Sequence, residues 1–146
     1  MALLEPFRVS HTVRLADTDA ARVVYFARAL EWFHAAYEAW LESVDLALGE
    51  HLPKSDLLLP IVSAEVTHER PLALGDRLEI RLRVQRVGAT SYTLAYEAVR
   101  DGDVCVRSTM THVCMRPETG RPEPVPGRLR DALGTLGSCL PTEGRS

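Results

Sequence analysis

Cysteine is scarce in this 146-residue chain, and Cys105, Cys114 and Cys139 show no CxxC spacing. An odd number of cysteines without metal or redox spacing points to reduced thiols in a cytoplasmic protein rather than to a disulfide framework. Long apolar runs are missing too. No stretch approaches the ~20 residues a membrane helix needs, and MALLEPFRVS, with an acid at position 5, does not read as a signal peptide. Nor does one sign of charge dominate. With 17 basic and 20 acidic residues the net charge is −3, which makes no electrostatic case for nucleic acid or a membrane surface as partner. Among the common catalytic signatures there is no GxSxG, no metal spacing among the five histidines, no GxGxxG and no phosphate-cradling loop. No metal and no bound cofactor is expected.

What is present suits one soluble domain, 46% hydrophobic and 25% charged. Residues 7–15 put Phe7, Val9, Val13 and Leu15 at alternate positions, a strand with one buried face. From about Ala21 to Val44 the period changes: Leu30, Phe33, Tyr37, Leu41 and Val44 recur at three and four, with Trp32, Ala36 and Trp40 as a second stripe. That is a largely buried helix. After a loop, IVSAEVTHER reads as a strand stopped by the turn signals of PLALGD. RLEIRLRVQRV and TSYTLAYEAVR alternate cleanly, the dipeptide Asp101-Gly102 marks a hairpin, and VCVRSTMTHVCM makes a last strand. Short turns between strands and one long helix predict an α+β domain over residues 1–116, its antiparallel sheet of about five strands curled around the helix. Residues 117–146, rich in proline and glycine, are expected to run over the surface with at most a short helix near GRLRDALGTLG. A sheet with one side on a helix leaves its other side or its edge uncovered, and Tyr92 and Tyr96 on such a sheet suggest completion by a second copy.

The chemistry-bearing residues are few. Asp17 and Asp19 stand where the first strand stops. One reading makes them helix N-caps, each worth about 1 kcal/mol. The other notes that one cap suffices, and that a surplus carboxylate near a helix N-terminus suits a reaction developing charge on a carbonyl oxygen. His34 with Glu38 one turn later is an acid–base pair or a plain i,i+4 surface contact. Arg70, Arg77, Arg81, Arg83 and Arg86 read most simply as a solvated strand face, the alternative being that one or two of them meet a phosphate.

LADTDAARVVYFARALEWFHAAYEAWL, followed by LPIVSAEVTHERPLALGDRLEI, resembles the hotdog-fold 4-hydroxybenzoyl-CoA thioesterase family over roughly residues 7–116. The likeness is strongest to the 1,4-dihydroxy-2-naphthoyl-CoA hydrolases of phylloquinone biosynthesis. The carriers are Asp-x-Asp before Val-Tyr-Phe, and the downstream Pro-x-x-x-Gly-Asp. The resemblance implies a hotdog fold, hydrolysis of an aromatic acyl-CoA, CoA as part of the substrate, and a homo-oligomer, a tetramer built as a dimer of dimers. It implies Asp19 as the catalytic carboxylate and the backbone N–H of Phe26 as the donor to the thioester carbonyl. Tyr25, Pro60, Ile61 and Val62 become the acyl pocket, the last three often supplied by the partner subunit. Arg22 departs from the family's common pattern, which has glycine three residues after the catalytic aspartate. A general or short-chain acyl-CoA thioesterase and a non-catalytic acyl-CoA-binding protein of the same fold remain the rival expectations.

Overall fold

The structure, a computed structural model, describes residues 4–21, 23–24, 27–46 and 57–138. In chain order come β1 (Phe7–Thr12), a single 3₁₀ turn (Leu15–Asp17), α1 (Arg28–Ser43), β2 (Ile61–His68), β3 (Arg77–Val87), β4 (Ser91–Arg100), β5 (Asp103–Val113), the short pair β6 (Met115–Arg116) and β7 (Arg121–Pro122), and α2 (Gly127–Thr135). The five long strands form one antiparallel sheet in the order β1-β3-β4-β5-β2. β1 and β2 are therefore its edges.

The alternation in the sequence decides which face meets the helix. Leu78, Ile80, Leu82 and Val84 of β3, and Tyr92, Leu94, Tyr96 and Ala98 of β4, are buried, as are Val106, Met110 and His112 of β5. α1 lays Ala29, Trp32, Phe33, Ala36, Tyr37, Trp40 and Leu41 against them. A large apolar side chain moved from water into this layer contributes about 1.5–3 kcal/mol. The other face is polar and largely self-neutralised. Glu79 accepts from Arg8 and Arg81 at 3.0 and 2.7 Å, and Glu97 from Arg83 and Arg107 at 2.9 and 2.8 Å. The Asp101-Gly102 turn has positive φ at both residues, 51° and 84°, as a tight hairpin requires.

Three expectations change. The helix does not start near Ala21 but at Arg28, because the β-branched residues before it are used as extended chain: Val23 bridges Ala73, and Thr18 bridges Val24. Tyr92 and Tyr96 do not wait for a second copy. They lie 0% and 1% exposed under the chain's own helix, with the Tyr92 and Tyr37 hydroxyls 2.6 Å apart. Nor does the segment after residue 116 merely cross the surface. Val125, Leu129, Ala132, Leu133 and Leu136 enter the core cluster. Gly137 then passes so close to the N-terminal segment that a Cβ would sit 2.7 Å from the Leu4 carbonyl oxygen. The core of the domain thus extends past the expected boundary. Among the described residues no helix is long and apolar enough to cross a membrane.

Leu133, 0% exposed, tests that extension. Leu133→Ala should lower unfolding stability by about 2–5 kcal/mol, read from the urea midpoint at unchanged m. A midpoint within error of the parent would return the C-terminal segment to the surface.

Candidate active site

The two aspartates of the Asp-x-Asp motif end in opposite environments. Asp17 closes the 3₁₀ turn and is buried, 6% exposed. Its Oδ2 accepts from the Arg14 backbone N–H at 2.9 Å and meets His11 Nε2 at 3.0 Å. Its Oδ1 accepts from Arg28 Nε at 2.8 Å and Trp32 Nε1 at 3.3 Å. The His11 ring also packs on Trp32, their centroids 4.6 Å apart. Burial alone would raise the Asp17 pKa, but the donors from Arg14, His11, Arg28 and Trp32 outweigh it and hold the group at about 2. A carboxylate with both oxygens doubly engaged is a fastener, poorly placed to attack or to take a proton. It ties β1, the turn and the first turns of α1 together, and caps no residue of α1, whose N-cap is Ala27.

Asp19 lies just beyond the fastener and is exposed. Its backbone N–H donates to the Val23 carbonyl at 3.0 Å, closing a short loop. Its Oδ1 accepts from the Ala21 N–H at 2.8 Å, with the Val23 N–H at 3.5 Å. This is the local turn habit of aspartate, which fixes the side chain on its own backbone. Oδ2 accepts no hydrogen bond among the described residues. The chain leads from this loop into α1, whose N-cap residue, Ala27, supplies no side-chain cap. The turn thus orients one carboxylate oxygen and leaves the other without a hydrogen bond among the described residues. Arg22, Tyr25 and Phe26, expected here as the family departure, a pocket residue and the oxyanion donor, lie outside the described residues.

Pro60, Ile61 and Val62 lie elsewhere. Asp19 belongs to the end of the sheet where Val24 N–H meets the Leu72 carbonyl and where β2 finishes, His68 opposite Val106. Ile61 lies at the other end, opposite His112. From Val106 to His112 is six residues of β5, ~20 Å at ~3.3 Å per residue. One chain does not bring the expected pocket to its own Asp19. The segment has features of its own: the β2–β5 register shifts between Ile61 and Ser63, and Ile61 and Val62 are 41% and 59% exposed. Such bulges re-aim side chains beside functional sites.

The other candidates resolve plainly. His34 and Glu38 form a 3.7 Å ion pair with both side chains well exposed, the surface alternative. Cys105 and Cys114 are buried packing residues, the Cys114 thiol pushed up to about 11 by burial. Arg81 and Arg83 serve the ion pairs of the polar sheet face, and Arg86 reaches Ser91 at 3.4 Å. Among the described residues no group of three His, Cys, Asp or Glu side chains is arranged to hold a metal. Sequence reasoning missed the donors to Asp17. His11, Arg28 and Trp32 show no motif, and only the surplus carboxylate hinted that one aspartate would be consumed structurally.

A model of the thioesterase-like superfamily matches residues 13–133. The chain belongs to that superfamily. It is 34% identical over 128 residues to the 1,4-dihydroxy-2-naphthoyl-CoA hydrolase of Synechococcus elongatus, covering 87% of this chain and 94% of that one. Its identity to the enzyme of the same name from Gloeothece citriformis is 39% over 109 residues, 73% of this chain and 76% of the other. Among solved structures, the 1,4-dihydroxy-2-naphthoyl-CoA thioesterase Slr0204 from Synechocystis superposes with a TM-score of 0.84 at 33% identity, covering 89% and 96% of the two chains. The fold is the hotdog fold of these thioesterases.

Asp17→Asn tests the fastener. The amide keeps the size but offers donors where donors already stand, so it should cost on the order of 3 kcal/mol, well beyond the cost of a lost cap. The pH dependence follows. The folded-state pKa of about 2 lies below the ordinary 3.8, so the stabilisation is complete above pH ~4 and is lost as pH falls toward 2, by roughly 2 kcal/mol. Urea titrations of parent and variant from pH 6 to pH 2 measure both. A variant as stable as its parent at pH 6 would show that the network holds nothing.

Proposed function

We propose that the protein hydrolyses an aromatic acyl-CoA thioester, 1,4-dihydroxy-2-naphthoyl-CoA, to the free acid and CoA, a step of phylloquinone or menaquinone biosynthesis. The observation that carries this reading is the exposed Asp19 carboxylate, one oxygen oriented by its own turn and the other accepting no hydrogen bond among the described residues, in a chain whose relatives over nearly their full length are named as hydrolases of that thioester.

Asp19 acts on the thioester carbonyl by one of two routes. In the first, a carboxylate oxygen attacks the carbonyl carbon, the C–S bond breaks and CoA leaves as thiolate; a water then opens the mixed anhydride to the free acid and the Asp19 carboxylate, and the proton released goes to the thiolate. In the second, Asp19 removes a proton from a water that attacks directly, and that proton goes on to the departing sulfur. Both develop negative charge on the carbonyl oxygen. The Phe26 N–H is the donor the resemblance assigns to it, and one such donor is worth about 3–4 kcal/mol of barrier.

The site takes two chains. β2 is an eight-residue edge strand, mostly exposed and free of proline. Such an edge seeks a strand. Pairing β2 with β2 of a second copy about a two-fold axis runs the strands antiparallel, so the Ile61 end of one meets the His68 end of the other. That carries Pro60, Ile61 and Val62 toward the partner's Asp19, which the ~20 Å separation forbids within one chain. Tyr25 joins the pocket from the catalytic chain, and two such dimers make the tetramer.

Asp19→Asn keeps the turn-forming side chain and removes the charge, so it should melt with the parent and lose kcat by orders of magnitude, measured as thiol release from 1,4-dihydroxy-2-naphthoyl-CoA. Normal melting with near-parent turnover would reduce Asp19 to a turn former. A parent inert on every acyl-CoA tried would leave only the binding-protein alternative. Light scattering should give two or four times the 16.2 kDa of the chain, and a stable monomer at micromolar concentration would remove the two-chain site.

A further inference from the structure

His112 stands on β5 in the interior, 1% exposed, where an apolar residue would be ordinary. Its ring is clasped between two others, centroids 4.5 Å from Tyr37 and 5.0 Å from Tyr92, the latter nearly parallel at 7°. The Tyr37 and Tyr92 hydroxyls bond each other at 2.6 Å, and burial raises both pKa values, so the clasp stays neutral. Burial also lowers the His112 pKa, against the Leu59 bond that raises it, and His34 lowers it further. The ring has one polar contact among the described residues: Nδ1 lies 3.0 Å from the Leu59 carbonyl oxygen. A carbonyl only accepts, so Nδ1 carries the hydrogen and Nε2 is a bare lone pair without a donor.

Leu59 immediately precedes Pro60, Ile61 and Val62. The backbone fixes this segment on either side of it: Leu58 and Met115 exchange N–H···O bonds of 2.8 and 3.0 Å, and the Pro60 carbonyl accepts from Val113 N–H at 3.1 Å. The side chain of His112 holds the carbonyl between. A costly buried imidazole is thus spent on one bond, to the stretch of chain that then bulges and exposes two apolar side chains.

We propose that His112 is a positioning residue for the active site of the neighbouring subunit. Clamped by Tyr37 and Tyr92, it sets the Leu59 carbonyl and with it the acyl-pocket wall that the two-fold pairing of β2 delivers to the partner's Asp19. The inference rests on the two-chain thioesterase reading above and adds a residue, a direction of action and a cross-subunit dependence to it.

Two amide substitutions separate positioning from packing. The amide nitrogen of asparagine falls close to where Nδ1 stands, that of glutamine close to Nε2. His112→Asn should keep kcat/KM for 1,4-dihydroxy-2-naphthoyl-CoA within a few-fold of the parent. His112→Gln should lose about 10–100-fold, the scale of a misplaced pocket wall, mostly in KM. Equal losses in both, tracking melting temperature, would make His112 a packing residue and overturn the proposal. Should the glutamine variant melt below assay temperature, His112→Phe, which keeps a ring in the clasp and removes the donor, takes its place. Subunit mixing then reads the direction. Chains carrying Asp19→Asn, refolded 1:1 with chains carrying His112→Gln, form hybrids in which one site has both parent residues, so turnover should rise to about a quarter of the parent's per chain. A mixture no more active than the sum of its parts overturns the cross-subunit action, and a parent inert on thioesters fails the underlying reading instead.

Discussion

The buried carboxylate of Asp17 is the joint on which the Asp19 end of the domain turns. Its oxygens gather an edge-strand histidine, a backbone amide and two side chains of α1. Remove the charge and the donors lose their common acceptor: Arg28 keeps Glu31 at 2.6 Å, a well-exposed partner, and Trp32 Nε1 has no other acceptor among the described residues. Because unpaired buried polar groups cost more than their bonds return, the network is all-or-none in character. It fixes where α1 begins, and so where the loop carrying Asp19 must run.

That joint explains how two like residues, two positions apart, divide their labour. Four donors, outweighing desolvation, make Asp17 an ion that stays ionised and occupied. Exposure and a self-made turn leave Asp19 with one engaged oxygen and one that accepts nothing among the described residues. The same split recurs at the far end of the sheet. There a buried imidazole and two buried phenols hold a carbonyl, and the chain it belongs to bulges outward with apolar side chains exposed. A rigid buried polar group beside an irregular exposed segment is the arrangement at both ends, and the proposed two-fold pairing of β2 would make the ends neighbours.

Much of this is legible in the amino-acid sequence. The alternation of RLEIRLRVQRV names the buried face of β3 residue by residue, Asp101-Gly102 names the β4–β5 turn, and the spacing of Phe33, Tyr37 and Leu41 names the buried stripe of α1. The helix start is not legible, because Val23 and Val24 are apolar at positions that fit either period, and only the distant Ala73 and Leu72 make them extended. The donors of Asp17 are hidden for the same reason: the side chains come from 6, 11 and 15 residues away on different elements. Tyr92 and Tyr96 belong to the sheet as expected, but they face the chain's own helix rather than a partner, since period alone does not say which cover arrives. The proline-rich C-terminal segment conceals Leu129, Leu133 and Leu136, whose burial depends on a helix short enough to look marginal.

The central claim is that the Asp19 carboxylate of one chain meets a thioester held against the 60–62 segment of another. The most direct measurement is a crystal structure with a non-hydrolysable thioether analogue of 1,4-dihydroxy-2-naphthoyl-CoA. The account predicts the analogue's carbon at the carbonyl position within roughly 3.5 Å of an Asp19 oxygen, with the naphthyl ring on Pro60, Ile61 and Val62 of the neighbouring subunit across paired β2 strands. An analogue bound with its ring against the same chain's segment, or with Asp19 far from the reacting carbon, would contradict it.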